Sequence, residues 1–473
     1  MKFLEIATFI IYFLSIIAIS LITYKKQKSD TSYVLGNRSL NFWLTALSAH
    51  ASDMSNWLFM GFPMIVFTSG VFQIWAGIGL VAFMFLNWQF IAPKIRAETE
   101  KMNNLTIYSY FETKFKDDSN ILKMLSALLS LVFYLFYISA GLVGLGLLVE
   151  SLFGFSYFTG IIIGLLIVVF YVFLGGYITV AWIDIFQGFF LLGVILYIPA
   201  ILLIKTGGLG PVMEVIKLKE LSTSLFPDFS INTVLQIIFI SAGWGLGYFG
   251  QPHIITKFMG IKNVKEIPKA KYLGITWQFL ALGGAALLGL LGIYFFRNGI
   301  DNSELIVIEL VKNNLAPLFS GLVLCAILAA TTNVMAAQIL VVASSMSEDF
   351  YKGFFKKTAT HLEVLKISRI SVIVISLIAY FIAYFKISTI YELVFYSWSG
   401  LGASFGPLIL LSLYYKKVNR IGAFFGILTG GLVAGIWPLF NKTVPSMIPG
   451  FFFSLIVIYL FAQIKQRHTY GKE

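Results

Sequence analysis

The sequence predicts an all-α, polytopic membrane protein whose core is two five-span halves of opposite orientation. Three observations carry this. First, 58% of the 473 residues are hydrophobic and 12% are charged, about half the charged share of a soluble domain. Second, apolar runs of bilayer length recur about thirteen times, leaving no stretch for a soluble domain of useful size. Third, two of these runs, five spans apart, are interrupted by polar residues, glycine and proline. Five is odd, so a unit repeated at that interval enters the membrane from the opposite side. Interrupted segments at matching positions of two such halves are the best sequence pointer to a transporter's binding site.

The spans are expected at residues 3–24, 41–68, 71–93, 124–150, 157–177, 183–204, 232–252, 272–296, 315–345, 370–385, 390–414, 422–440 and 446–464. Residues 1–40 then hold the first span and a cytoplasmic loop, 41–205 the first repeat and 206–231 an extracellular connection. Residues 232–414 form the second, inverted repeat, and 415–473 two accessory spans with a short cytoplasmic tail. The net charge of +12 raises nucleic-acid binding as a question, and its distribution answers it. With the amino terminus outside, 26 of the 34 Lys and Arg fall on cytoplasmic segments and 8 on the other side. That asymmetry orients the chain by the positive-inside rule, with the carboxyl terminus cytoplasmic. The basic balance is a topology signal, and no nucleic-acid partner is expected.

Span one is aliphatic and aromatic and reads as a scaffold helix. Only Lys2 precedes it, Lys25, Lys26 and Lys28 follow it, and no small-residue cleavage pattern is present, so it is expected to be retained rather than cleaved as a signal peptide. Arg38, just before span two, is either a topology anchor or a group at the inner mouth of a pathway.

Span two carries the stretch LSAHASDMSNWLFMGFP from Leu47 to Pro63, with Ser48, His50, Ser52, Asp53, Ser55 and Asn56 close together. A carboxylate at the bilayer centre costs about 2.5 to 3.5 kcal/mol on an insertion scale, so Asp53 is expected to face protein, water or a ligand. Gly61 and Pro63 loosen the helix and free backbone groups for ions and small zwitterions. The serines read equally as small packing residues.

Span four places Tyr137 and Ser139 among Gly141, Gly144 and Gly146, where a neighbouring backbone can approach. Tyr137 is a packing residue or turns its hydroxyl into the resulting cavity. Asp184, at the expected start of span six, suits the positive end of a helix dipole. Span seven contains the second break, SAGWGLGYFGQPHI, with Gly243, Gly245, Gly247, Gly250 and Pro252 beside Trp244, Tyr248 and Phe249. Aromatic faces beside free backbone suit a small substrate with an apolar body and a cationic amine, and His253 is expected at the inner end of the span. Span nine offers Thr331, Thr332, Asn333 and Gln338, which either bond to neighbouring helices or present oxygens to a hard cation. Cys325 is the only cysteine, so neither an intramolecular disulfide nor a cysteine metal cluster is possible.

SDMSNWLFMG, GWGLGYFGQPHI, SSMSEDFYK and LGASFGP together resemble the sodium/solute symporter family, and GWGLGYFGQPHI resembles its sodium/proline branch. The resemblance covers nearly the whole chain and implies the LeuT-type inverted-repeat fold. It also implies a cation site between spans two and nine, with backbone oxygens from Ala51, Met54 and Ala330 and with Asp53 and Ser55 nearby. Ser55, Gly61, Tyr137 and Trp244 are implied to contact substrate, and Tyr248 joins them from the reading of span seven. Arg38 and Asp184 match positions tied to coupling and gating.

Departures from the family pattern are equally specific. Asn333 and Val334 stand where the proline symporters place two adjacent hydroxyls. Thr331 and Thr332 do not replace them, because a two-residue shift turns a helix by about 200°. His50 and Asn56 occupy positions commonly held by glycine. A histidine there titrates near physiological pH and is a candidate for carrying a coupling proton, or else bonds to a neighbouring helix.

The expected function is import of a small amino acid, proline above others, by sodium symport with alternating access across the plasma (inner) membrane. A proton-coupled or uncoupled transporter is the first alternative and a membrane sensor the second. No nucleophile with its base, metal-ligand cluster or phosphate-cradling loop stands out, so no enzyme and no cofactor is expected beyond the coupling ion.

Overall fold

The computed structural model describes residues 3–24 and 34–470, and Lys25, Lys26 and Lys28 lie outside the described residues. Most of these residues are helical, joined by short turns and coil, with two isolated β-bridges, Leu40 to Ile261 and Gly70 to Ser222. Among the described residues ten helices are long and apolar enough to cross a membrane, and shorter apolar helices at Ala7–Ile22, Asn56–Ser69 and Tyr157–Phe170 coincide with the first, second and fifth expected spans. The protein is therefore a multi-pass membrane protein.

Span two is the shorter for being broken. Asn41 caps its start by accepting from the Leu44 amide at 2.9 Å, and the first half-helix, Phe42–Ala51, ends at Ser52. A short 3₁₀ turn, Asn56–Leu58, leads into the second half, Gly61–Ser69. Span seven breaks in the same manner: Ile231–Gly245 passes into a 3₁₀ segment, Leu246–Gly250, then an extended Gln251, before Pro252 starts the half-helix Pro252–Gly260. The second half runs eight residues past the expected end of the span, so His253 is not at the inner rim. It is fully buried, with Nδ1 3.0 Å from the Tyr134 hydroxyl.

Spans five and six differ from expectation. They form one continuous run, Tyr157–Thr206, kinked at Gly176 (φ 55°, ψ −160°). Asp184 consequently lies inside a helix rather than at its start, and the dipole reading fails for it.

Burial separates core from periphery. In spans four, nine and eleven 78%, 83% and 83% of the most apolar window is buried, against 33% in span ten and 39% in twelve and thirteen. Span one packs on this core through Tyr12, whose ring lies 6.3 Å from Phe186 and whose hydroxyl accepts from Gln187 at 2.6 Å. On the side of the basic loops, the backbone of Leu40 pairs with Gly260 and Lys262, stitching the entry to span two against the exit from span seven. The opposite side is closed by the 206–231 connection, where Ser222 pairs with Val71 and the Leu225 carbonyl accepts from the Trp75 indole at 2.8 Å.

Candidate functional site

The two breaks face each other across a central cavity lined by Asp53, Met54 and Trp57 from span two and Trp244 and Tyr248 from span seven, with Leu80, Tyr137, Val394 and Trp398 completing its wall. Its free space of about 20 Å³ holds roughly one water, so an amino acid fits only after these side chains move apart.

Polar groups in it are bonded in series. Gln278 donates to the Tyr248 hydroxyl at 2.7 Å, and that hydroxyl donates to Asp53 Oδ2. Backbone freed by the span-seven break is also satisfied: the Trp398 indole donates to the Trp244 carbonyl at 2.7 Å, and Asn87 donates to the Tyr248 carbonyl at 2.9 Å. Tyr137 lies within hydrogen-bonding reach of Ser55, whose own oxygen caps the 3₁₀ turn at the Trp57 amide.

The apolar wall is aromatic. Trp57 stacks on Phe62 with ring centroids 4.9 Å apart and meets Trp244 at 4.8 Å. The buried Trp57 indole N–H has no hydrogen-bond partner, which leaves a donor at the cavity wall. Gly61 sits directly beneath it, where a Cβ would fall 2.8 Å from the ring, so Gly61 shapes the cavity without lining it.

Toward span nine, the break frees carbonyls as a cation site requires. Backbone amides take the carbonyls of Ser48, His50, Asp53, Ser55 and Asn56, while no bond across the break ends on Ala51 or Met54. Thr331 and Thr332 turn their hydroxyls back to their own helix, at the Ile327 and Leu328 carbonyls. Ala330 is buried on this helix, and Val334 presents only hydrocarbon. The buried Asn333 amide lies beside Asp184 without a well-formed hydrogen bond.

Asp184 belongs to a second polar centre. Its Oδ2 accepts from Lys257 at 2.9 Å and from Ser48, with both members of the ion pair almost wholly buried. Spans two, six and seven meet at this pair.

The two residues expected at glycine positions of the family pattern both pack on neighbouring helices. Asn56 donates to the Ala140 carbonyl at 2.9 Å, and Gly144 makes room for it: a Cβ there would lie 2.3 Å from Asn56 Nδ2. His50 is fully buried, accepts from the Trp88 indole at Nε2 (3.0 Å), and sits against Gly274, where a Cβ would lie 2.2 Å from that nitrogen.

Arg38 lies apart from the cavity, on the side of the basic loops. Its guanidinium donates to the carbonyls of Met259 (2.8 Å), Thr99 (3.0 Å) and Asn104 (2.7 Å), tying spans two, three and seven together. Burial, with the nearby Arg96, lowers its pKa to about 10, which leaves it cationic at neutral pH. Lysine keeps the charge but not the planar fork, so Arg38→Lys loses one or two charge-assisted bonds at about 1.5 to 3 kcal/mol each. The midpoint of thermal unfolding is expected to fall measurably; an unchanged midpoint would show that these bonds do not hold the three spans together.

The site residues expected from sequence thus divide into groups. Asp53, Met54, Tyr137, Trp244 and Tyr248 share one cavity, Ser55 and Gly61 support it, Ala51 borders the break, Ala330 and Asn333 lie on span nine, and Arg38, His50 and Asp184 sit elsewhere. Trp57, Leu80, Asn87, Gln278 and Trp398 were not anticipated. Trp57 stood within the quoted span-two stretch; Asn87 begins a short π-helical segment of span three, and Leu80, Gln278 and Trp398 lie on helices whose sequence does not point to the cavity.

Comparison with known proteins identifies the family. The profile of the Sodium:solute symporter family matches residues 33–430. The high-affinity proline transporter PutP of Bacillus subtilis is 39% identical over 94% of each chain. A sodium/proline symporter of Escherichia coli is 37% identical over 97% of this chain and 92% of its own, and one of Staphylococcus aureus is 38% identical over the same shares. Among solved structures, a Na+-coupled sialic acid symporter in a substrate-bound outward-open state superposes with a TM-score of 0.83 at 19% identity over 98% of both chains. MhsT in complex with L-phenylalanine reaches 0.59 at 13% identity, over 89% of this chain and 97% of its own. Two broken helices enclosing a buried carboxylate, on a fold shared with these transporters and a sequence matched nearly end to end, place this chain in the sodium:solute symporter family.

Proposed function

We propose that the protein imports L-proline by sodium symport, with its amino terminus outside and its carboxyl terminus in the cytoplasm. The observation that carries this is the central cavity, in which Asp53 and Tyr248 join the two helix breaks beneath the Trp57 and Trp244 rings. Relatives 36–39% identical over nearly the full length are sodium/proline symporters and a proline transporter.

In this reading the pyrrolidine ring lies between Trp57 and Trp244, whose faces attract the secondary ammonium. The unpartnered Trp57 N–H, with Tyr137 and Ser55, is available to the substrate carboxylate. Sodium, a hard cation that takes oxygen ligands, is held by the Ala51, Met54 and Ala330 carbonyls and the Asn333 amide oxygen, with the Asp53 carboxylate nearby. The inverted repeats, residues 41–205 and 232–414, rock about this site. Asp184 ties spans two, six and seven through Lys257 and Ser48, and Arg38 holds the cytoplasmic side closed.

A second reading, proton coupling, draws on one observation: Val334 supplies no oxygen where the family pattern has a hydroxyl. His50 is a poor carrier for it, because a proton at Nε2 displaces the Trp88 N–H and the rings against it are those of Trp88 and Trp277. The deciding experiment is uptake of labelled proline into proteoliposomes under separate inward sodium and proton gradients. Accumulation on sodium alone supports the proposal. Accumulation on protons alone overturns the sodium assignment, and none on either, with the protein inserted, overturns proline.

A further inference from the structure

A second enclosed space lies behind the Tyr137 wall, toward the basic loops, between the half-helix Pro252–Gly260 of span seven and the inner part of span nine. Its free volume of about 20 Å³ holds roughly one water. The His253 ring divides it from the central cavity: it lines the inner space and meets the Tyr137 ring edge-on, with centroids 6.3 Å apart. Residues 105–108 roof this space. They are held by Arg38, which donates to the Asn104 carbonyl at 2.7 Å, and by Asp349, which accepts from the Thr106 hydroxyl at 3.0 Å.

Most hydroxyls around this space are spent on the protein. Those of Thr256 and Tyr177 go to the carbonyls of Pro252 (2.8 Å) and Thr256 (3.2 Å), and that of Tyr108 goes to Ser130 (2.6 Å). Three groups keep capacity in reserve. Ser344, 3% exposed, has a buried hydroxyl with no hydrogen-bond partner, and Nε2 of the fully buried His253 has none either. Lys257 gives one bond, to Asp184 at 2.9 Å, from an ammonium that carries three N–H groups.

The network also fixes which proton His253 holds. The Tyr134 hydroxyl accepts from the His253 backbone N–H at 3.1 Å, so its own proton turns to Nδ1, 3.0 Å away. Nδ1 is then the acceptor of a neutral ring, and Nε2 is an N–H donor without an acceptor. Donors buried in this way cost free energy unless a ligand or water accepts from them. No Asp or Glu lines the space, so a cation gains little there, whereas an anionic oxygen can accept from all three groups.

We propose that this inner space is a release station, in which the substrate's carboxylate passes from Tyr137 to His253, Ser344 and Lys257 once residues 105–108 lift toward the cytoplasm. The proposal rests on the proline reading above, since it assigns the same substrate and direction. Leu105, Leu340 and Val341 offer the pyrrolidine ring an apolar wall. With donors on both sides of a single ring layer, the carboxylate crosses without standing desolvated and unpaired, which lowers the barrier to release.

The test sets the maximal uptake rate in proteoliposomes against the equilibrium affinity of the purified protein for labelled L-proline, both in saturating sodium. His253→Phe keeps a ring beside Tyr137 and removes the donor. It is expected to lower the rate about tenfold or more, the loss of one charge-assisted bond, at unchanged affinity. His253→Gln, which restores an amide N–H, is expected to regain most of that rate. Ser344→Asp sets a carboxylate among the donors and is expected to abolish uptake while proline still binds. Where these changes prevent insertion, Ser344→Ala carries the test, with the rate about threefold or more below wild type at unchanged affinity. Wild-type rates in the inserted variants, or losses of affinity that match the losses of rate, overturn the station and leave the transport reading intact. No proline bound by wild type overturns both. Chloride offers the same charge, so wild-type uptake is repeated with sulfate replacing chloride on both sides. An unchanged rate supports the substrate's carboxylate as the occupant, and a fall assigns the space to a resident chloride instead.

Discussion

Replacing Lys257 with methionine is expected to cost about 3 to 5 kcal/mol of stability, the loss typical of removing one partner from a buried ion pair. Lys257 is 2% exposed and Asp184 is fully buried, so bulk water does not screen the charge left behind. Asp184 Oδ1 has no hydrogen-bond partner, and Oδ2 keeps only Ser48 once Lys257 is gone. A charged carboxylate is thereby stranded at membrane depth. The converse change, Asp184→Asn, leaves the ammonium without its counter-ion over the Tyr177 ring, 5.1 Å from its centroid, and is expected to cost a similar amount. Removing both charges, as Lys257→Met with Asp184→Asn, is expected to recover most of the loss, because a buried pair replaced by neutral groups of similar volume is often close to neutral in stability. Thermal unfolding of the four proteins in one detergent checks this as a double-mutant cycle. Additive losses would show that the two residues act independently and that their pairing does not hold spans two, six and seven together.

Much of this architecture was legible in the sequence, and the reasons are specific. Helix breaks advertise themselves locally, since Gly and Pro in an apolar run change what the backbone can do. Both the span-two and span-seven interruptions fall inside the stretches that composition marked, Leu47 to Pro63 and Ser241 to Ile254. Asp53 was legible because a lone carboxylate in hydrocarbon demands an explanation. The helix-dipole reading of Asp184 failed for a matching reason. Its position suggested a helix start, but the chain passes through Gly176 with a kink and no loop, and what fixes Asp184 is Lys257, 73 residues away. No pattern within one span reports a partner at that distance. The same holds for Gln278 and Trp398, which reach the cavity from unbroken helices. His50 and Asn56 were visible as oddities, and the glycines that accommodate them, Gly274 and Gly144, lie on other spans.

The largest functional loss is expected from Asp53→Ala, with uptake falling to the background of empty liposomes while the protein still inserts and folds. Asp53 is the acceptor that ends the series from Gln278 through Tyr248, and it makes the hydrogen bond that joins the span-two break to the span-seven break. In the proposed mechanism its carboxylate also supplies the negative charge near the cation, which the alanine variant cannot replace. Two graded variants separate these roles. Tyr248→Phe keeps the carboxylate but removes the hydroxyl, leaving Gln278 without its acceptor and Asp53 without its donor. One neutral bond and one charge-assisted bond are worth about 2 to 4 kcal/mol together, so proline affinity is expected to fall about thirtyfold or more, with sodium dependence retained. Asp53→Asn keeps the shape and still accepts from Tyr248, but it lacks the charge. If Asp53 serves the cation, this variant binds proline with a weakened sodium dependence and transports little. If Asp53 only orders the break, it transports nearly as wild type does and the electrostatic role is lost from the mechanism. Sodium titrations of proline binding in the three variants distinguish the outcomes, because a positioning residue shifts proline affinity at every sodium concentration, whereas a cation-site charge shifts the sodium concentration at which proline binds.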